Sequence, residues 1–296
     1  MPQDSDGRAA RLRAFYARLV AERGLAGDPR IGQAFATVPR EPFAGPPPWW
    51  IRSTGPYGPP RSGNGYARTP DGDPAYLYQD VLVALDPARG INIGEPSLHA
   101  RCLDAIGIRP GETVLHVGAG SGYYTAILAQ LTGPAGRVHA YELDTALAAR
   151  AAANLAGVPN VALHARSGTL PGLPEADAVY VNAGLTGPHP AWTAALRAGG
   201  RLLFPLQPAP VQGPRGGMLL AERPARADAT AWPARFVTRA AFIHCEAPQD
   251  EAAGRDLARA FASGGWQEVR SLRLSGEPDA TCWARGDGWW LSTSEG

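Results

Sequence analysis

The chain has 296 residues, 45% of them hydrophobic and 19% charged, with a formal net charge of +1. That length is ample for a buried core, and the near-neutral balance leaves no electrostatic footprint for nucleic acid or an anionic membrane. Three scattered cysteines, Cys102, Cys245 and Cys282, give neither a disulfide framework nor a C-x-x-C spacing, so a reducing compartment and no structural zinc are expected. All 28 Lys+Arg positions are arginine; with the abundant Ala, Gly and Pro, this reads as coding bias rather than as a functional signal. The polar N-terminus "MPQDSDGRAA" lacks an apolar signal region. No window approaches the ~18 apolar residues of a membrane span, and a cytoplasmic protein is expected.

Residues 8–23 place Leu12, Phe15, Leu19 and Val20 near helical spacing up to Gly24, and a second short helix is expected over 30–37. From 39 to 74 proline and glycine dominate, which predicts a long loop; its aromatics Trp49, Trp50 and Tyr57 make it a lid or collar rather than a disordered linker. This N-terminal helical and loop region runs over residues 1–96. From Ser97 strand and helix alternate. A helix in "SLHARCLDAIGI" precedes a strand in "ETVLHVG", a helix in "YYTAILAQLTG" and a strand in "GRVHAYEL". Asp144 N-caps the Ala-rich helix that follows. Strands in "VALHARSG" and "ADAVYVNAG" come next, then a helix "HPAWTAALRAGG" closed by glycine and a fifth strand, "GRLLFPLQ". The pattern predicts a doubly wound α/β core within residues 97–247. An α+β extension, 248–296, is expected to pack on that core: a helix over 250–263, a strand in "EVRSLRL" and a hairpin turning at Gly286-Asp287-Gly288.

Chemistry concentrates in "VLHVGAGSGYY", where a strand runs into Gly118, Gly120 and Gly122. In such a sheet the ligand sits at the carboxyl ends of the strands, over the first βα turn. A dinucleotide fingerprint, G-x-G-x-x-G, would need glycine where Tyr123 stands. The G-x-G-x-G pattern instead suits S-adenosylmethionine, which has no pyrophosphate and presents an amino-acid end and a ribose to backbone groups. Glu142 ends the next strand, twenty residues after Gly122. A carboxylate there can accept two hydrogen bonds from a ribose diol, or can cap the following helix; the glycine pattern and the spacing favour the ribose. The expected cofactor contacts are Val117, Gly118, Ala119, Gly120, Gly122, Glu142 and Leu143, with Ser167 and Gly168 after the third strand.

"DPRIGQAFATVPREPF", followed by "INIGEPSLHARCLDAIGIRPGETVLHVGAGSGYYTAILA", resembles the protein-L-isoaspartate O-methyltransferase family, and the likeness continues through "RSGTLPGLPEADAVYVNAG" and "LRAGGRLLFPLQ". It covers roughly residues 10–245. The resemblance implies a Rossmann-like class I S-adenosylmethionine-dependent methyltransferase with a seven-stranded sheet. It also implies S-adenosyl-L-homocysteine as product, and methyl transfer to a carboxylate of an aspartyl-derived residue in a peptide or protein.

The chain departs from the family where the acceptor binds. The family's T-I-S-x-P is here Asn92-Ile93-Gly94-Glu95-Pro96, so Gly94 replaces the serine and Glu95 brings a carboxylate. The family's D-G-T is Ser167-Gly168-Thr169, with a serine left to meet adenine, and a frequent Thr-Ala is Asn182-Ala183. A carboxylate acceptor is ionised at neutral pH and needs no general base, so losing the hydroxyl bears on which carboxylate is positioned rather than on whether methyl transfer occurs. Gly94 is expected to clear space. Glu95 either repels a misplaced carboxylate, binds a peptide amide or has simply drifted. With Gly94, Glu95 and Asn182, His99 completes the acceptor-site candidates; packing on its helix is the competing reading for it.

His116 and His139 read as structural, Cys102 as core, Trp289 and Trp290 as sheet packing, and no histidine set has metal-ligand spacing. Three functions remain open. The first is methylation of an Asp side chain in a dedicated peptide during ribosomal peptide maturation, leading to aspartimide. The second is isoaspartyl repair. The third is a non-catalytic peptide-binding module, against which the intact glycine turn and Glu142 weigh.

Overall fold

A computed structural model describes residues 5–52, 65–208, 216–226 and 228–295; Tyr57 of the expected collar lies outside them. Helix α1 (Ser5–Gly24) turns Tyr16, Ala17 and Val20 inward and leaves Phe15 58% exposed. Phe15 is therefore not a core residue. One step of about 100° round the helix hands the buried face to Tyr16, whose ring packs edge-on against Phe35 and Tyr78. Helix α2 (Pro29–Thr37) begins at Asp28, which accepts the Arg30 N–H at 2.9 Å.

The Pro/Gly-rich stretch is more ordered than its composition predicts. It contains α3 (Glu41–Ala44), β1 (Trp50–Arg52) and β2 (Ala67–Arg68), which join β3 (Leu82–Asp86) and β4 (Ile91–Asn92) in an antiparallel sheet of order β2-β1-β3-β4. Strands of two or three residues are too short to show a period, and proline is tolerated in a helix's first turn. Trp49 is buried there: its backbone N–H donates to Thr69 Oγ1 and its indole N–H to the Gly45 carbonyl.

The alternation then follows. Helix α4 (Pro96–Ile106) leads to β5 (Thr113–Val117), α5 (Tyr123–Thr132), β6 (Arg137–Tyr141) and α6 (Thr145–Leu155). Asp144 caps α6, accepting the N–H groups of Ala146 and Leu147. Strands β7 (Val161–His164) and β8 (Ala176–Val181) precede α7 (Pro190–Ala195) and β9 (Leu196–Leu206). Here the expected glycine-closed helix is shorter. It stops at Ala195, because Leu196 already pairs with Ala176 and Gly199-Gly200 lie within β9; strand pairing overrides local helix propensity. The chain ends with β10 (Gly217–Glu222), β11 (Ala231–Arg239), α8 (Glu251–Ser263), β12 (Ser271–Arg273), β13 (Cys282–Gly286) and β14 (Trp289–Ser292).

Two compact units are present: Met1–Gly111 with Ala119–Arg166, and Glu112–Gly118 with Ser167–Gly296. In the first, α1 packs on α2 and α4, α2 on α5, and β6 pairs parallel with β7. Cys102 is 1% exposed in this core. In the second, eight strands run in the order β13-β14-β12-β11-β10-β9-β8-β5, with β5, β8 and β9 parallel and the rest antiparallel. The parallel strands are buried on both faces, as their near-continuous apolar runs require. This unit alone exceeds the seven strands the resemblance implies, because β12, β14 and β13 continue the sheet beyond β11. Trp289 and Trp290 are buried in that continuation, and Phe236, Phe261 and Trp283 meet edge-to-face beneath α8 and β13. Among the described residues no helix is long and apolar enough to cross a membrane.

On β6 and β7, His139 Nδ1 lies 3.2 Å from His164 Nε2, and His164 stacks on Tyr141. Burial first, then each other or the nearby Arg137 and Arg166, hold both imidazoles below the ordinary histidine value. A lowered folded-state pKa favours the neutral form, so the pair contributes stability above the unfolded value near 6.5 that is lost as pH falls below it. His139→Gln should therefore lose less Tm than the wild type between pH 7.5 and 5.5, by about 1–2 °C after allowance for solvent screening of these part-exposed rings. Equal acid losses in differential scanning calorimetry would remove the pair from the acid response.

Candidate functional site

The glycine turn is built by backbone geometry. Gly118, Gly120 and Gly122 all have positive φ, at 80°, 58° and 94°. At Gly122, the left-handed N-cap of α5, a Cβ would also stand 2.8 Å from Leu155 Cδ1, so a side chain is excluded on both strain and space. Within the first unit the turn is tied to the end of β6: Ala119 N–H donates to the Tyr141 carbonyl at 3.1 Å, and Gly120 N–H to Glu142 Oε2 at 2.6 Å. Glu142 Oε1 accepts the Asp144 N–H at 3.0 Å. Of the two anticipated uses of Glu142, the structure shows the local one, a contact at the start of α6. It fixes the start of α6, and each oxygen keeps a further lone pair for a hydroxyl donor. Burial raises its pKa, against the lowering effect of the Asp144 and Gly120 N–H groups. Beside it Leu143 is 43% exposed, an uncovered apolar side chain next to the carboxylate.

The acceptor-loop candidates also lie in the first unit. Gly94 has φ of +90°, and its N–H donates to Asn92 Oδ1 at 2.8 Å. A Cβ on Gly94 would stand 2.4 Å from His99 Nε2 and 3.0 Å from His99 Cδ2. The expectation that Gly94 clears space is therefore corrected: the imidazole of His99 fills the volume a serine side chain would take. His99 is 2% exposed and stacks on Tyr124, with ring centroids 3.6 Å apart and planes at 16°. The Tyr124 hydroxyl donates to the Gly94 carbonyl at 3.4 Å. Glu95 is the N-cap residue of α4 without a side-chain cap, and its carbonyl accepts the His99 N–H.

The remaining candidates belong to the second unit. Val117 ends β5, and its carbonyl accepts the Asn182 N–H at 2.8 Å. A Cβ on Gly118 would meet the Asn182 backbone at 3.4 Å. Asn182 Nδ2 lies 2.9 Å from Nε2 of His116, which is fully buried; burial pushes that imidazole down to about 3, so it is neutral at every working pH. Asn182 Oδ1 is buried without a hydrogen-bond partner. Ser167 is held locally: its hydroxyl pairs with Thr169 Oγ1 at 2.7 Å and accepts the Thr169 N–H. The Gly168 carbonyl accepts the indole N–H of the buried Trp192 at 2.8 Å.

Tyr124, Trp192 and the His116–Asn182 contact escaped sequence reasoning. Tyr124 and Trp192 look like ordinary core aromatics in their helices, and His116 and Asn182 are sixty-six residues apart. A histidine inside an otherwise apolar strand was the one available signal. Among the described residues no cluster of three or more His, Cys, Asp or Glu could hold a metal ion.

A family model described as Protein-L-isoaspartate(D-aspartate) O-methyltransferase (PCMT) matches residues 70–215. The chain is 33% identical over 210 residues to Protein-L-isoaspartate O-methyltransferase 1 of Rhodopseudomonas palustris (strain HaA2), covering 69% of this chain and 72% of that protein. It is 30% identical over 192 residues to Protein-L-isoaspartate O-methyltransferase of Roseiflexus sp. (strain RS-1), covering 64% and 74%. A solved protein-L-isoaspartate O-methyltransferase structure superposes with a TM-score of 0.61 at 21% identity, over 84% of this chain and 69% of that one, which is a likeness of fold.

Proposed function

Because the chain belongs to the protein-L-isoaspartate O-methyltransferase family, we propose that it is a member specialised to methylate the side chain of an Asp in a dedicated peptide. The fold is that of the class I methyltransferases, and the enzyme is an S-adenosylmethionine-dependent carboxyl methyltransferase acting on a peptide or protein. The cofactor supplies an electrophilic methyl group on a sulfonium. The residues present fit it: a glycine turn whose three positive φ angles disfavour side chains, a carboxylate held at that turn by two backbone N–H groups, and an uncovered Leu143 suited to a flat apolar base. Glu142 would take the ribose diol. An acceptor carboxylate, already ionised, would need no base to take the cofactor's methyl group, so this chain's own task would be to hold the acceptor oxygen in line with it.

The observation that supports the finer reading is the filling of the Gly94 side-chain space by His99. The hydroxyl that the family places beside the acceptor has no room here unless His99 moves. The acceptor must be held by other groups, and a changed acceptor contact favours a changed acceptor. The resulting Asp methyl ester is an electrophile; the following backbone nitrogen can attack its carbonyl, lose its proton and expel methanol, giving an aspartimide. Isoaspartyl repair is the second reading, favoured by the names of the relatives.

A methyl-transfer assay separates them. An Asp peptide encoded beside the gene should be methylated at least about tenfold more efficiently than a generic isoaspartyl peptide, a difference of about 1.4 kcal/mol in transition-state binding. Efficient turnover of the generic isoaspartyl peptide with none of the Asp peptide would establish repair. Gly94→Ser is a poor probe of this choice, since at φ of +90° it must also displace His99.

A further inference from the structure

The hairpin that precedes the acceptor loop meets the cofactor turn at two points, and the reaction described so far uses neither. Strands β3 and β4 pair Ala84 with Asn92 and Asp86 with Ile91, so Leu85 is the extra residue of a β-bulge. Bulges beside functional sites re-aim a side chain. This one turns Leu85 onto the glycine turn: a Cβ on Gly120 would stand 3.4 Å from Leu85 Cδ1. At the hairpin's tip, Arg89 Nη1 donates to Asp144 Oδ2 at 2.7 Å. The α6 cap uses the other oxygen, Oδ1, which accepts the N–H groups of Ala146 and Leu147. Gly120 and Asp144 are also the two residues whose N–H groups Glu142 accepts through its two oxygens. The hairpin is therefore fastened on both sides of that carboxylate, wholly within the first unit.

The same hairpin runs into the acceptor loop. Asn92 Nδ2 donates to the Gly90 carbonyl while Asn92 Oδ1 accepts the Gly94 N–H, so one side chain ties the hairpin's turn to the loop. We propose that Arg89 is a positioning residue that latches the β3–β4 hairpin across Glu142, so that a cofactor bound there against Leu85 steadies the acceptor loop, residues 92–95. This rests on the methyltransferase reading above. The strength of the latch decides how it works. The Arg89 and Asp144 side chains are 55% and 20% exposed, and an ion pair so open to water favours closure by about fivefold at most. On release the guanidinium keeps a carboxylate on the hairpin itself, Asp86 Oδ2 at 3.6 Å. Opening therefore strands no charge. A ligand shifts such a balance only by what it gains in the closed form. Leu85 supplies that gain, because it lies on the glycine turn while the hairpin is latched.

Hydrogen–deuterium exchange with S-adenosylhomocysteine as the probe reads this coupling, and calorimetry reads the affinity. In the wild type, saturating ligand should slow exchange over residues 84–94 by about fivefold or more. Arg89→Gln should cut that slowing to under about twofold and weaken ligand binding about threefold, and Arg89→Lys, which keeps the charge, should recover most of both. Leu85→Ala should weaken binding by about threefold to tenfold. A merely structural ion pair would change exchange equally with and without ligand. Arg89→Gln with the full ligand-induced slowing of the wild type would therefore overturn the proposal. So would a wild type in which the ligand protects residues 119–122 and leaves 84–94 unchanged, and in both cases the cofactor reading would stand. A wild type that binds no S-adenosylhomocysteine would overturn both.

Discussion

Replacing Arg40 with alanine should cost the fold about 3–5 kcal/mol. Arg40 lies in "VPREPF", and its side chain is 0% exposed. Its guanidinium donates to the carbonyls of Leu77 at 2.6 Å, Gln79 at 3.1 Å and Val81 at 3.1 Å. It also lies over the rings of Tyr16 and Tyr123, 5.5 and 5.6 Å from their centroids. One cation therefore joins the segment before β3 to α1 and α5 within the first unit. Truncation leaves three carbonyls without donors, at about 1–3 kcal/mol for each that water cannot reach, and removes two cation–π contacts. Arg40→Lys should recover less than half of the loss, since a compact ammonium cannot span three carbonyls in a fixed fork. Urea unfolding of the three proteins measures this. A loss under about 1 kcal/mol for the alanine variant would mean that water replaces the guanidinium.

The same residue shows where sequence reasoning stops. "VPREPF" carried the resemblance, yet nothing in its spacing says that the arginine is buried or that its partners lie thirty-seven to forty-one residues on. Features written within one element were legible: the Asp144 cap, the glycine turn and Glu142 at the end of β6 all stand where periodicity and turn chemistry put them. Features made by two distant residues were not. Gly94 reads as empty space in sequence, and only the fold shows that His99 fills it. His116 reads as a tolerated polar residue in a strand, and only the parallel pairing of β5 with β8 brings it to Asn182. The short α7 belongs to the same class. Its last turn was lost to β9 because the strand's partner, not its own propensity, decided the backbone. The glycine turn is local because it must be. Its job is done by φ angles, which the residue type fixes directly.

Glu142→Ala should weaken S-adenosylhomocysteine binding by about tenfold to a hundredfold, from two unmade diol hydrogen bonds worth about 1.5–3 kcal/mol together. The structure adds a second source of loss. The carboxylate also accepts Gly120 N–H at 2.6 Å and Asp144 N–H at 3.0 Å, so its removal loosens the glycine turn itself. Glu142→Gln separates the two contributions. It keeps one acceptor oxygen for a backbone N–H but turns an NH2 group toward a donor, so it should bind less tightly than the wild type and more tightly than alanine. The pH dependence follows from burial, which raises this pKa above the ordinary carboxylate value. On the proposed ribose assignment it is the charged form that takes the diol, so wild-type affinity should fall as pH drops into the range just above that ordinary value, sooner than an exposed carboxylate would require. The sign for the unliganded fold is the reverse. A carboxyl whose folded-state pKa is raised contributes stability below its unfolded value and loses it as pH rises through the folded one. Ionised Glu142 is thus slightly costly to the free protein, a cost that donors from a bound ribose would offset on the proposed assignment. Calorimetric titrations from pH 5 to 8 check the first sign and urea unfolding of the unliganded protein over the same range the second; an affinity that is flat with pH and unchanged in Glu142→Ala would take the ribose away from this residue.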